Sequence, residues 1–167
     1  MPSASGDVMS ETISPQRIFL VVIDETEEMR VALRFAARRA RHTGGRVALL
    51  HVMEPGEPQP FRNIEELMLA EKRAEAETLM QRMAAEAADL SGQLPVVHLR
   101  EGRPADQLLA LIEEEPGISI LVLAAGTGAE GPGPLVTELV GRMADKMRVP
   151  ITIVPGSLGD AQIDAMA

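Results

Sequence analysis

The sequence predicts an α/β domain built on a five-stranded, parallel, doubly wound sheet. Three observations carry this expectation. Five short runs rich in branched apolar residues alternate with segments of helical periodicity. Most of these runs lack strict in-and-out alternation, as strands do when helices cover both faces of a parallel sheet. The 167-residue length suits one domain that buries its own core without metals or disulfides.

The first strand is the run Ile18-Phe19-Leu20-Val21-Val22-Ile23. The first helix repeats apolar residues at Met29, Leu33, Ala36, Ala37 and Ala40 and stops at Gly44-Gly45, where positive φ costs little. Val47 to Val52 forms the second strand. The second helix opens with Asn63 as cap and Glu66 three residues on, and its later half sets Ala76, Leu79, Met80, Met83, Ala87 and Leu90 on one stripe. Its charged middle, Glu71-Lys72-Arg73-Ala74-Glu75, reads as a solvated face. After a third strand, Val96 to Leu99, the third helix starts at Pro104, buries Leu108, Leu109 and Ile112, and ends before Pro116-Gly117. Ile118 to Ala125 is the fourth strand. The fourth helix carries Val136, Leu139, Val140, Met143 and Met147 and stops at Pro150, and Ile151-Thr152-Ile153-Val154 is the fifth strand. The expected layout is a flexible leader over 1–16, one domain with about four helices over 17–155, and a flexible tail over 156–167.

Composition excludes several function classes. A net charge of -9 opposes nucleic-acid binding, which needs clustered Lys and Arg to displace counterions. The chain also has no Trp or Tyr on which bases commonly stack. It has no cysteine, so no disulfide framework, thiol nucleophile or thiolate metal site exists. The leader has no basic residue before Arg17 and no apolar core, unlike a secretory signal. Nowhere do about eighteen apolar residues run together, so no membrane span is expected and the cytoplasm is the expected location.

Ligands of doubly wound sheets bind outside the carboxyl ends of strands where the winding reverses. With strands one and four as central neighbours, Asp24 at the end of strand one faces Gly126-Thr127-Gly128-Ala129-Glu130-Gly131-Pro132-Gly133-Pro134 after strand four. A carboxylate suits ribose hydroxyls or an adenine amino group, and backbone N–H groups of a glycine loop suit phosphate oxygens. Gly126, Gly128 and Gly131 formally spell the dinucleotide fingerprint. They follow the wrong strand, and no acid stands at the end of the next one, which closes in Val154-Pro155. No Gly-Lys pair occurs, so a Walker-type loop is excluded as well. His51 and His98 lie in strand-like runs and read as hydrogen-bonded core histidines, and His42 as the cap of a helix end. The three histidines lack metal-ligand spacing, and no nucleophile elbow surrounds Ser119 or any other serine. The expectation is a binding module without a catalytic constellation.

Several of these segments together resemble the universal stress protein family. They are Phe19-Leu20-Val21-Val22-Ile23-Asp24, Leu49-Leu50-His51-Val52, Glu101-Gly102-Arg103-Pro104, and the glycine loop followed by Val149-Pro150-Ile151-Thr152-Ile153-Val154. The resemblance covers about Arg17 to Pro155. It implies the strand order 3-2-1-4-5, a stress-response role, a homodimer often formed through the last strand, and an adenine nucleotide, ATP or AMP, with magnesium if ATP.

In the family's ATP-binding branch, two residues separate the first two glycines, nine the second and third, and a Ser or Thr follows. Gly128, Gly131 and Gly141 match this spacing, and Arg142 stands where the hydroxyl residue is expected. Asp24 matches the family's acid at the end of strand one, and Val52 the position whose backbone meets adenine. Glu130 puts a negative charge in the phosphate cradle, and Pro132 and Pro134 remove two N–H donors. The adenosine half is thus better kept than the phosphate half.

Two readings stay open. One is a cytoplasmic module that binds an adenine nucleotide through Asp24, Val52, Gly128, Gly131, Gly141 and Arg142. The other is a dimeric interaction protein without nucleotide, acting through its acidic surface on an unidentified protein partner. An adenylating enzyme is disfavoured, because Asp24-Glu25-Thr26 stands where such enzymes carry a serine- and glycine-rich loop. In the implied order Ile151 to Val154 is a sheet edge, bracketed by Pro150 and Pro155. Pairing with its own copy in a homodimer would satisfy that edge.

Overall fold

A computed structural model describes residues 15–167. The elements in order are β1 (Ile18–Val22), α1 (Met29–Thr43), β2 (Arg46–Met53), α2 (Arg62–Ser91), β3 (Val96–Glu101), α3 (Pro104–Glu114), β4 (Ile118–Ala125), α4 (Pro134–Gly141), β5 (Ile151–Pro155) and α5 (Asp160–Met166). A 3₁₀ turn at Ala144–Lys146 lies between α4 and β5. All five strands are parallel, in the order 3-2-1-4-5. Among the described residues no helix is long and apolar enough to cross a membrane. Positions 1–14 of the expected leader lie outside the described residues.

The two-residue period of β1 explains its unbroken apolar run. Phe19, Val21 and Ile23 pack with Met29, Leu33, Ala36 and Ala37 of α1 and Met80 and Met83 of α2. Leu20, with Ile18 and Val22 beside it, packs with Leu108, Leu111 and Ile112 of α3 and Leu139 of α4. Each face is fed by alternate residues, so neither can be polar. Register against β4 slips once, between Ile18 and Phe19, whose partners are Ile118 and Ile120. The skipped residue is Ser119, whose hydroxyl accepts from the Ile18 N–H and donates to the Gly117 carbonyl, both at 3.3 Å. This serine repairs a strand irregularity.

Several boundaries differ from the sequence reading. The cap position of α2 is Phe61, in extended conformation and without a side-chain cap, and Asn63 lies inside the first turn. Residues 61–75 are exposed throughout, so only the later half of α2 packs on the sheet. In α3 it is Leu111, with Leu108 and Ile112, that is fully buried, while Leu109 is half-buried. The fourth helix ends at Gly141 and leaves Val140 exposed. Glycine is the weakest helix former after proline, and the chain must turn there to bring Met143 and Met147 onto the α3–α4 side of the core. Arg148 then donates to the carbonyls of Ile112 (2.6 Å) and Glu115 (3.2 Å), capping the end of α3.

The expected flexible tail is corrected by α5. Ile163 is fully buried, and Leu158 packs on the α1 side of the core. Arg34 of α1 donates to both Asp164 oxygens at 2.8 and 2.7 Å, and Arg38 adds a bond at 3.2 Å. The His42 ring meets the Ala167 carbonyl oxygen at 2.5 Å. Glycines at 156 and 159 mark the tail as a loop, yet they only frame a turn before a short apolar stripe. Gln162 stabilises that turn by accepting the Gly159 N–H at 2.9 Å.

The Arg34 guanidinium, by its hydrogen bond, holds the Asp164 carboxyl below the usual aspartate range. A depressed carboxylate stabilises the folded state above its unfolded value and loses that contribution as pH falls through the folded one. Asp164→Asn should therefore lower the melting temperature at neutral pH, and the gap to wild type should close below about pH 4. Thermal unfolding across pH checks this, and a gap that widens in acid would contradict it.

Candidate functional site

The site arises from unequal strand lengths. Val22, the last residue of β1, pairs with Leu50, while β2 continues to Met53. On the other side Val21 pairs with Val122, and β4 continues to Ala125. The central strand thus stops short of both neighbours, and the sheet is notched at its carboxyl edge. The Leu50 carbonyl accepts from the Ile23 N–H at 2.7 Å, the last bond of β2 toward β1. The Met53 carbonyl accepts from Gly102 on the other side at 2.9 Å. By the strand's two-residue period, the N–H and C=O of Val52 face the notch.

Asp24 sits where β1 leaves the sheet. Its Oδ1 accepts the Thr26 N–H (2.9 Å) and the Thr26 hydroxyl (2.5 Å) in a local Asx turn. That turn fixes the carboxylate at the lip of the notch. His51 holds the same corner, its Nδ1 lying 2.6 Å from the Ile23 carbonyl. A carbonyl only accepts, so Nδ1 carries the proton. Asp24, His51 and Val52 share a cavity of about 480 Å³ with Leu79 of α2 and Leu135 of α4. His98 lies on the outer strand β3, and burial pushes its imidazole below the ordinary histidine value.

Gly128, Gly131, Gly141 and Arg142 line a second cavity, of about 1300 Å³, together with Arg103, Glu130 and Glu138. A smaller cleft of about 160 Å³, lined by Asp24, Thr26, Gly133, Pro134 and Leu135, lies beside both. The structure therefore gathers the six sequence-predicted residues in two adjoining cavities. Asp24 and Val52 stand in one, the glycines and Arg142 in the other, with Pro134 lining both.

The loop itself is largely self-bonded. Gly126 donates to the Pro132 carbonyl and Gly131 to the Gly128 carbonyl, each at 3.1 Å. Gly131 and Gly133 have φ of 84° and 105°, a region that favours glycine. Pro132 and Pro134 bring no N–H. Gly141 and Arg142 lie away from the amide end of α4. They stand at the carbonyl end of α4, where the helix dipole is negative, while its amide end is Pro134. Gly141 thus stands seven positions after the start of α4 at Pro134.

Sequence reasoning missed the two groups that dominate the second cavity. Arg103, at the cap position of α3, donates to Glu138 of α4 at 2.6 Å and also lies 3.7 Å from Asp106. The Gly102-Arg103-Pro104 turn was the available signal, since it places a guanidinium at the sheet's carboxyl edge. The charges lining this cavity are Glu28, Glu130 and Glu138 against Arg103 and Arg142. Among the described residues no three His, Asp or Glu side chains are grouped to hold a metal ion.

The family model described as Universal stress protein family matches residues 16–155. No curated protein matches the chain. Among solved structures, the chain is similar to the universal stress protein UspA from Lactobacillus plantarum at 17% identity and a TM-score of 0.70, covering 84% of this chain and 99% of that one. It is similar to a universal stress protein from Archaeoglobus fulgidus in complex with dAMP at 19% identity and a TM-score of 0.58, covering 83% and 96%. A universal stress protein in complex with cAMP gives 16% identity and a TM-score of 0.60 over 86% and 100%. At these identities the similarity shows the fold.

A Cβ at Gly126 would lie 3.0 Å from the Gly131 carbonyl oxygen and 3.2 Å from the Glu28 carboxylate, whereas one at Gly128 would meet nothing within 4 Å. Gly126→Val should therefore cost about 1–3 kcal/mol of stability, and Gly128→Val no more than about 0.5 kcal/mol. Denaturant titration separates the two, and equal losses would contradict the loop geometry.

Proposed function

Because the chain belongs to the universal stress protein family, we propose that it is a cytoplasmic stress-response module that binds an adenine nucleotide in the notch between β2 and β4. The observation that carries this reading is the Val52 main chain, whose donor and acceptor face the space left by β1. That pair matches the donor and acceptor edge of an adenine ring. The Asp24 carboxylate at the lip suits ribose hydroxyls, and Leu79 and Leu135 supply the apolar walls that a base needs. Two similar structures are complexes with dAMP and cAMP, ligands of the class that this notch suits. The reading assigns binding and at most slow ATP hydrolysis to the chain, with magnesium entering only alongside ATP.

A second reading, a dimeric interaction protein without nucleotide, is favoured by one observation. Phe61, Ile64, Leu67 and Met68 are all exposed on the half of α2 that stands off the sheet. Ligand binding separates the readings. Calorimetric titration with AMP should give a saturable signal, and Asp24→Ala should weaken it about tenfold, the loss expected for a charge-assisted hydrogen bond. No heat and no thermal shift at millimolar AMP or ATP would leave only the second reading, since a ligand far above its dissociation constant must stabilise the fold.

Assembly belongs to the same proposal. β5 pairs with β4 alone and forms a sheet edge. Val154 is already in the core, while Ile153 is exposed, so Ile151 and Ile153 are the apolar pair available to a second copy. A homodimer centred on Ile151 to Val154 would satisfy the edge across a two-fold axis. Light scattering at tens of micromolar should give twice the 17.9 kDa chain mass, and Ile153→Lys should return it to the monomer value. A wild-type monomer, or a dimer indifferent to that substitution, would contradict the assignment.

A further inference from the structure

We propose that the notch selects adenosine carrying a single phosphate over di- and triphosphates, and that Arg103, held by Glu138 in the free protein, is the residue that takes the phosphate. This rests on the adenine-nucleotide reading above and gives it a ligand class.

The electrostatic balance of the glycine-loop cavity supports the selection. Glu28, Glu130 and Glu138 outnumber Arg103 and Arg142. Each phosphate added beyond the first brings further negative charge toward an already negative surround. The loop offers little to offset it. Two of its N–H groups are spent on its own carbonyls, and Pro132 and Pro134 have none.

Arg103 remains the cation suited to one phosphate. Its backbone at the cap position is extended (φ −79°, ψ 131°) and tied to the strand-to-helix turn. Its side chain is 65% exposed even while bound to Glu138 at 2.6 Å, so one face of the guanidinium is open to the cavity. Glu138 is less exposed, at 25%, and sits on α4 beside Thr137. A phosphate monoester competes with Glu138 for the same planar donors, and a guanidinium forks onto phosphate at least as well as onto carboxylate. The ion pair is thus an internal competitor that one phosphate displaces.

The test is calorimetry on the full chain at low ionic strength with adenosine, AMP, ADP and ATP. AMP should bind about tenfold more tightly than ATP, the factor for one charge-assisted contact against uncompensated repulsion. Glu138→Gln frees Arg103 and should tighten AMP several-fold while leaving adenosine unchanged. Arg103→Gln should reduce AMP to the affinity of adenosine. Both substitutions break the same ion pair, so a shared loss of stability cannot produce opposite effects on AMP. ATP binding as tightly as AMP, or AMP affinity indifferent to Glu138→Gln, overturns this inference and leaves the adenine site standing. Failure of adenosine and AMP to bind either wild type or Glu138→Gln overturns both.

Discussion

The length of one strand governs this molecule. β1 lies at the centre of the sheet with helices over both faces, so its residues alternate between two apolar layers and its position is fixed by both cores. It ends at Val22 while β2 and β4 run on to Met53 and Ala125. A strand that stops early between longer neighbours leaves main-chain donors and acceptors unpaired in a concave, partly apolar place. Backbone groups in such a place need partners or solvent. The notch therefore turns polar main-chain groups of β2 toward open space, and the Asp24–Thr26 turn follows from the chain having to leave the sheet there.

The two halves of the crevice differ in kind. The notch is built from rigid strand ends, with a histidine bonded to the Ile23 carbonyl and apolar residues from α2 and α4 around it. The glycine-loop cavity is wider, is closed on itself by its own hydrogen bonds, and carries more carboxylates than guanidiniums. A ligand that fills the first and reaches only the edge of the second suits both. The Arg103–Glu138 pair joins the turn after β3 to α4 across this boundary, so this guanidinium ties two elements together.

How much of this was legible in the sequence depended on how local each signal is. Strand existence and order were readable, because near-continuous apolar runs and glycine or proline stops are properties of single segments and the family resemblance supplied the order. The positions of Asp24 and Val52 beside strand ends were readable, because the strands themselves are local signals. Counting residues between glycines gives the motif match of Gly141 but not its place, which is the carbonyl end of α4. The helix start at Pro134 carried the same proline signal that located Pro104. Arg103 and Glu138 are 35 residues apart, and only the packing of α3 beside α4 brings them together. α5 was hidden by its flanking glycines, since its hold on the body is the long-range pair of Arg34 with Asp164.

Amide chemical shifts report, residue by residue, whether the notch at the end of β1 is the ligand site. Titration of the isotopically labelled chain with AMP should move the signals of Asp24, Val52 and Gly128 in one saturable process, while those of β5 and the exposed half of α2 stay in place. Unmoved signals at Asp24 and Val52 at millimolar AMP, or shifts confined to other surfaces, would contradict the account.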